Sequence, residues 1–382
     1  MNEWKTVRLG DVCEIVMGTS PEGNTISQNT SDGIEFHQGK TCFGNLYLNE
    51  SGMFTNEPVK FAEAGNVIMS VRAPVGDSNI TPRKIAIGRG LCTFNTKTDF
   101  EKLFLYYYLN SQIEYLKSKS TGSTFKAVNK DVISDLKIPL PPLAEQKHIA
   151  AILDKTQKII AEHKQMLQKY DTLIKSRFIE MFGDNPIESG KWEVETLADV
   201  CSSVVRGPFG SALKKDVFVP KSNNTVKVYE QKHAIQKSAN IGTYYISQEK
   251  YEELKRFECK PGDFIMSCSG TMGEFYQLPI GCEKGIINQA LCKFSLNNKI
   301  EALFFLEWMK QSIHNLETKG SGIQNVAAVS FIKQMPVFLP PLTLQNDFAT
   351  FVQQIDKSKS AVQKSLEKTE TLYKSLMQQY FG

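Results

Sequence analysis

Four sets of residues in this chain have types and spacings that could do chemistry, and each lacks a part the chemistry needs. "GTSPEGNT", from Gly18, has the glycine spacing of a phosphate-binding loop. Such a loop needs a lysine after its second glycine to reach the phosphates, and Asn24 stands there. Asp135, Glu145 and Lys147 imitate the Asp…Glu-x-Lys set of metal-dependent nucleases. Glu145 and Lys147, however, fall at a helix start just after Pro-Pro, where the helix dipole alone favours an acidic residue. The string "LPPL", at 140–143 and again at 339–342, falls short of an adenine methyltransferase signature. That chemistry needs an Asn or Asp before the prolines to hydrogen-bond the target amino group and an aromatic after them to stack a flipped base. Leu140 and Leu339 can do neither. Finally, none of the five histidines has a helical partner at metal-ligand spacing, and the eight cysteines form no C-x-x-C pair. The expectation is no catalytic site, no metal, no cofactor and no disulfide.

The elements available for positioning come in two sets. At 382 residues the chain is too long for one ordinary core. Its composition is that of a soluble globular protein, with no apolar run long enough to span a bilayer, and it reads as cytoplasmic. The net charge of +4 is spread evenly, so charge alone does not argue for nucleic acid, and any basic surface must be local. "WKTVRLGDVCEIV" from Trp4 matches "WEVETLADVCSSV" from Trp192, "GNVIMS" from Gly65 matches "GDFIMS" from Gly262, and "LFLYYYLNSQI" from Leu103 matches "LFFLEWMKQSI" from Leu303. The same parts recur in the same order. Short β-type runs punctuated by Gly, Pro, Asn and Asp predict a mixed α/β globular part in each half, with one helix expected over Glu101 to Lys119. Cys92 and Cys292, in "LCTF" and "LCKF", read as buried strand residues.

After each Pro-Pro pair the pattern becomes helical. Alternate steps of four and three residues give Ile149, Leu153, Thr156, Ile160, His163, Leu167, Tyr170, Ile174, Arg177 and Met181, a heptad seam. The second seam, offset by 199 throughout, is Phe348, Val352, Ile355, Lys359, Val362, Leu366, Thr369, Tyr373, Leu376 and Tyr380. Each helix could pack on its own globular part. Matching stripes and an intervening domain favour instead two helices packed on each other, antiparallel, through Ile149, Leu153, Ile160, Leu167, Ile174, Phe348, Val352, Val362, Leu366 and Leu376. The predicted fold is α+β, a tandem duplication of a globular domain (1–140 and 192–339), each copy followed by a long helix (141–183 and 340–382), with a linker at 184–191.

These residues together carry a resemblance that covers essentially the whole chain. Two globular halves, each opened by "W…V.L.DVC", contain "VIMSVRAPVG" or "FIMSCSGTMG" and pass through "GSTFKAVNKDVISDLKIPLPPLAEQ" or "GSGIQNVAAVSFIKQMPVFLPPLTLQ". With the long helices ending in Phe-Gly, the chain resembles the specificity subunit of a type I restriction-modification enzyme. The resemblance implies that each globular domain reads one half of a split double-stranded DNA site. It further implies that the helices set the gap and dock two methyltransferase subunits, with restriction subunits in the full complex. The subunit itself would be non-catalytic.

Local Gly-rich loops fit that reading, since Arg, Lys and carboxamides beside flexible backbone can reach base edges and phosphates. The candidates are Gln38, Lys40, Arg72, Ser123, Thr124 and Lys126 in the first half. In the second half they are Arg206, Ser211, Lys214, Lys215, Gln231 and Lys232. Gln38 and Gln231 stand out because a carboxamide can pair bidentately with adenine. Near two-fold symmetry would place the half-site centres about 10 base pairs apart, with about 5 to 7 unread between them. The alternatives are a coiled-coil scaffold that binds proteins without reading DNA, and an enzyme of unrecognised chemistry.

Overall fold

The strand Val67–Ser70 is buried on both faces, and its alternation explains how each globular part is built. Val67 and Met69 enter one hydrophobic core, with Cys92, Phe94 and Phe104, while Ile68 enters a second, with Ile85, Ile87 and Leu91. Successive side chains of a strand point to opposite faces, so a strand between two cores must be apolar throughout. The strand Phe264–Ser267 repeats the arrangement: Phe264 and Met266 face one core and Ile265 the other. Cys92 and Cys292 are fully buried strand residues.

This computed structural model describes residues 4–97, 100–121, 126–317 and 329–382. It divides into two units, Met1–Met166 with Val362–Gly382, and Leu167–Ala361. In the first, an antiparallel sheet runs in the order Cys13–Met17, Leu91–Thr96, Val67–Ser70, Ser78–Ile80. A second sheet runs Ile26–Ser27, Phe54–Thr55, Ile34–His37, Ile85–Ile87, Phe61–Ala62, with one parallel pair, Ile34–His37 against Ile85–Ile87. The second unit has the matching sheet Cys201–Arg206, Leu291–Leu296, Phe264–Ser267, Phe275–Gln277. Its other sheet runs Tyr245–Ser247, Thr225–Tyr229, Gly285–Ile287, Glu258–Cys259, again with one parallel pair, Thr225–Tyr229 against Gly285–Ile287.

One expectation is corrected. The helix over 101–119 is two helices, Lys102–Ser111 and Ile113–Lys119, broken at Gln112, whose N–H bonds the Leu109 carbonyl at 3.0 Å. Ile113 and Leu116, past the tighter turn, lie against Gly76, whose positive φ no larger residue would adopt readily. The counterpart, Ala302–Glu317, is continuous.

The long helices run Leu143–Phe182 and Leu342–Phe381, 40 residues each and about 60 Å long. Both start at the prolines. The Pro142 carbonyl accepts the N–H groups of Glu145 and Gln146 at 2.9 and 3.0 Å, and the Pro341 carbonyl accepts those of Leu344 and Gln345 at 2.9 and 3.2 Å. Gly183, with φ of +98°, ends the first, its N–H on the Ile179 carbonyl at 2.8 Å.

Every seam position is buried or half-buried. In the first unit, Ile149, Ala150 and Leu153 enter the core, and Tyr373, Leu376, Met377, Tyr380 and Phe381 pack against it. Tyr380 stacks on Trp4 at 6.4 Å and Phe381 meets Phe104 edge-on at 5.1 Å. Lys164 pairs with Glu370 at 2.9 Å, and Tyr373 bonds Gln157, so partners run in opposite directions. In the second unit Asp171 pairs with Lys359 at 2.6 Å, Arg177 lies over Phe351, and Phe178 meets Phe348 at 5.3 Å, again antiparallel. The helices therefore pack both on each other and on the globular parts, because each stripe is wide enough to serve two neighbours.

Candidate nucleic-acid interface

In the first unit several strand ends meet at one edge. Cys13–Met17 and Val67–Ser70 finish opposite the start of Leu91–Thr96, and the parallel pair Ile34–His37 and Ile85–Ile87 finish side by side. Short backbone bonds tie the loops that follow. Gly18 N–H reaches the Leu91 carbonyl at 2.9 Å, Gly88 N–H the His37 carbonyl at 2.8 Å, Gly90 N–H the Gln38 carbonyl at 3.1 Å, and Val71 N–H the Gly90 carbonyl at 2.9 Å. The approach needs glycine: a Cβ on Gly18 would lie 2.2 Å from the Gly88 carbonyl oxygen. Loops gathered at strand ends on a rigid sheet are where binding residues concentrate.

This edge carries Gln38, exposed, with Oε1 accepting the Ser20 hydroxyl at 2.8 Å. Arg72 is exposed on the next loop, bridged through its backbone to Ala127, and Lys126 is exposed beside it, its carbonyl accepting the Ala73 N–H at 2.9 Å. Lys40 is paired with Asp77, which offsets its charge. Ser123 and Thr124, with the rest of "GST", lie outside the described residues, as does most of "GSGIQNVAAVS" in the second half. Arg89, between Gly88 and Gly90, was not picked out from the sequence, yet it is exposed, with no side-chain ion pair among the described residues. Its signal was the Gly-Arg-Gly string on a strand end.

Beneath Gln38 lies a buried polar group. Glu35 accepts bonds from Arg83 Nη2 at 2.7 Å and Ser51 N–H at 2.6 Å, and His37 Nε2 lies 2.9 Å from it. Burial alone would raise the Glu35 carboxyl, but the Arg83 hydrogen bond, the Ser51 N–H and His37 together hold it at about 2. Burial pushes the His37 imidazole below its ordinary value, against the pull of Glu35. A neutral ring donating through Nε2 satisfies the carboxylate and fixes the chain just before Gln38.

The second unit repeats the edge. Gly207 N–H meets the Leu291 carbonyl at 2.9 Å, Asn288 N–H the Tyr229 carbonyl at 3.0 Å, and Cys268 N–H the Ala290 carbonyl at 2.8 Å. A Cβ on Gly207 would lie 1.9 Å from the Asn288 carbonyl oxygen. Arg206 lies over Phe209, an aromatic ring 69% exposed, at 5.1 Å from its centroid. Gln231 Nε2 donates to the Ser269 carbonyl and to that of Thr271, the latter at 3.3 Å. Lys232 pairs with Glu230 at 2.8 Å and lies over Tyr244. Lys214 is exposed between the turns Gly210–Leu213, which includes Ser211, and Lys215–Val217, the second of which carries exposed Lys215. The buried pair below this edge is inverted in charge: Lys227 and Tyr229 occupy the strand positions of Glu35 and His37, and Tyr229 donates to the Glu283 carbonyl at 2.5 Å.

The chain matches a family whose description is "Type I restriction modification DNA specificity domain", over residues 1–169 and 189–370. The chain belongs to this family. A relative provisionally named the type I restriction enzyme MjaX specificity subunit of Methanocaldococcus jannaschii is 40% identical over 176 residues, 44% of this chain and 40% of the relative. The type I restriction enzyme EcoDI specificity subunit of Escherichia coli is 22% identical over 99% of this chain and 88% of its own length. The matches to the three archaeal subunits span 40 to 51% of those relatives. The S subunit of the M. genitalium type I system shares the fold, with a TM-score of 0.59 at 16% identity, over 100% of this chain and 97% of that one. A chain from a structure of type I restriction-modification assembly and conformational transition aligns at a TM-score of 0.63 and 16% identity, over 100% and 98%. Two specificity domains in one chain account for the two edges. Among the described residues no cluster of His, Cys, Asp and Glu could hold a metal ion, and no helix is long and apolar enough to cross a membrane.

Proposed function

We propose that this chain is the DNA-reading subunit of a type I restriction-modification complex, each glycine-rich edge reading one half of a gapped double-stranded site. The observation that carries the reading is the edge itself. Strand ends converge so closely that a Cβ on Gly18 or Gly207 would strike a neighbouring carbonyl oxygen, and the exposed groups there are arginine, lysine and carboxamide. Those are the donors and acceptors that contact phosphates and base edges. In this reading the long helices dock two methyltransferase subunits and set the gap, restriction subunits join the full complex, and the chain performs no covalent step itself. The chain works in the compartment that holds the genome, the cytoplasm.

The test is to map methylated motifs in the host genome with the gene present, deleted and restored. A bipartite motif that disappears and returns with the gene supports the reading. Purified complex should also bind its motif duplex with a steep loss of affinity as salt rises. An unchanged methylome, or equal binding to all duplexes, overturns it.

A further inference from the structure

The two glutamines are held by opposite ends of their amides. Gln38 Oε1 accepts the Ser20 hydroxyl at 2.8 Å. The Ser20 oxygen in turn accepts the Arg89 N–H at 3.3 Å. Oε1 lies only 2.4 Å from where a Gly88 Cβ would sit, which places the carbonyl side against backbone. Gln38 Nε2 has no partner among the described residues, and the residue is exposed.

Gln231 is the reverse. Its Nε2 spends both protons on the Ser269 and Thr271 carbonyls, and turning the amide over would set oxygen against two carbonyl oxygens. The carbonyls reach it from either side of Gly270, a turn residue with φ of +63°. Among the described residues, what remains free on Gln231 is Oε1.

We propose that the two readers therefore detect opposite polarity in the major groove: Gln38 donates to a base acceptor, and Gln231 accepts from a base amino group. Acceptors there are purine N7, guanine O6 and thymine O4, and amino donors are adenine N6 and cytosine N4. Bidentate pairing with adenine, which needs an N–H and the oxygen of one amide, is closed to Gln231 while Ser269 and Thr271 hold its protons. This inference rests on the DNA-reading function and assigns the chemistry of one contact in each half-site.

The experiment uses the assembled complex and its mapped motif, with duplexes in which single groove atoms are deleted. 7-Deazapurines and bases lacking O4 or O6 remove acceptors; purine lacking N6 and pyrimidinone lacking N4 remove amino groups. In the half-site assigned to the first reader, one acceptor deletion should cost about 5- to 10-fold in binding, and Gln38→Ala should abolish that sensitivity. In the other half-site one amino deletion should cost as much, and Gln231→Ala should abolish it. Sensitivities that persist in the variants, or couple to the opposite kind of group, overturn the inference. If Gln38→Ala does not assemble, Gln38→Glu keeps the Ser20 anchor and inverts the free group. It should shift one motif position to adenine or cytosine, and an unchanged motif overturns the inference. Wild-type complex with no sequence preference would sink the DNA-reading function, whereas a wild-type motif without these couplings sinks only the amide assignment.

Discussion

Glu35 and Lys227 occupy equivalent places under the two edges with opposite charge, and each is buried with its own set of partners. A buried charge is tolerated only when paired and hydrogen-bonded, so neither residue can be exchanged for the other without its neighbours. For Glu35 the sign follows from its depressed carboxyl. Its stabilisation is complete above pH 4.5, the ordinary value, and is lost as pH falls towards about 2. Thermal unfolding measured from neutral pH downward should decline through that window, and Glu35→Gln should flatten the decline. Arg83→Ala removes the principal counter-charge, so the folded-state carboxyl rises, the window narrows and the acid-dependent loss shrinks. An acid profile unchanged by Arg83→Ala would show that the pair contributes nothing. Residue type was legible in the sequence, since Gln38 and Gln231 stand out on chemistry alone. Which end of each amide is free was not, because Ser20, Ser269 and Thr271 are distant in the chain and reach the glutamines only through strand pairing.

At the scale of elements, the heptad stripes were readable because their period is local, and each position lies in the protected seam. The break at Gln112 was not, since the matching helix Ala302–Glu317 meets Gly273 through Ile313 without one. Nor was the latch at each helix start. Gln146 accepts the Glu101 N–H at 2.9 Å and donates to the Pro141 carbonyl at 2.9 Å; Gln345 does the same to Glu301 and Pro340, both at 2.8 Å. The one shared glutamine, rather than the Glu145 or Leu344 beside it, ties helix to globular part in both copies. Gln146→Ala leaves two buried backbone groups without this partner and should cost about 1–3 kcal/mol in urea unfolding, with Gln345→Ala similar. Leu366→Asp places a charge at a seam position only 5% exposed and should cost about 3 kcal/mol or more, whereas Leu366→Met should cost little. Equal midpoints for Asp and Met would refute burial of this stripe.

For the molecule as a whole, duplication was legible as a repeated order of strings, but strand order was not, because strands of two to six residues pair across long separations. Two readers with separate cores should be exchangeable. Replacing residues 1–140 by those of a relative should alter one half of the methylated motif and leave the other intact. Motif mapping of the hybrid checks this, and change in both halves would show the readers to be coupled.

The division of the chain also orders its birth. Leu167–Ala361 is continuous, so that unit can close once its last residues leave the ribosome. The other unit begins at the first residue but is completed by Val362–Gly382. From residue 166 the chain must grow by 381 − 166 = 215 residues before Tyr380 and Phe381 can cover Trp4 and Phe104. At ~5–20 residues per second that is a wait of roughly 10–40 s, during which an aromatic surface stands open to chaperones and proteases. Chains truncated at residue 361 and released from the ribosome should be cleaved in the first reader and spared in the second, although the first was made earlier.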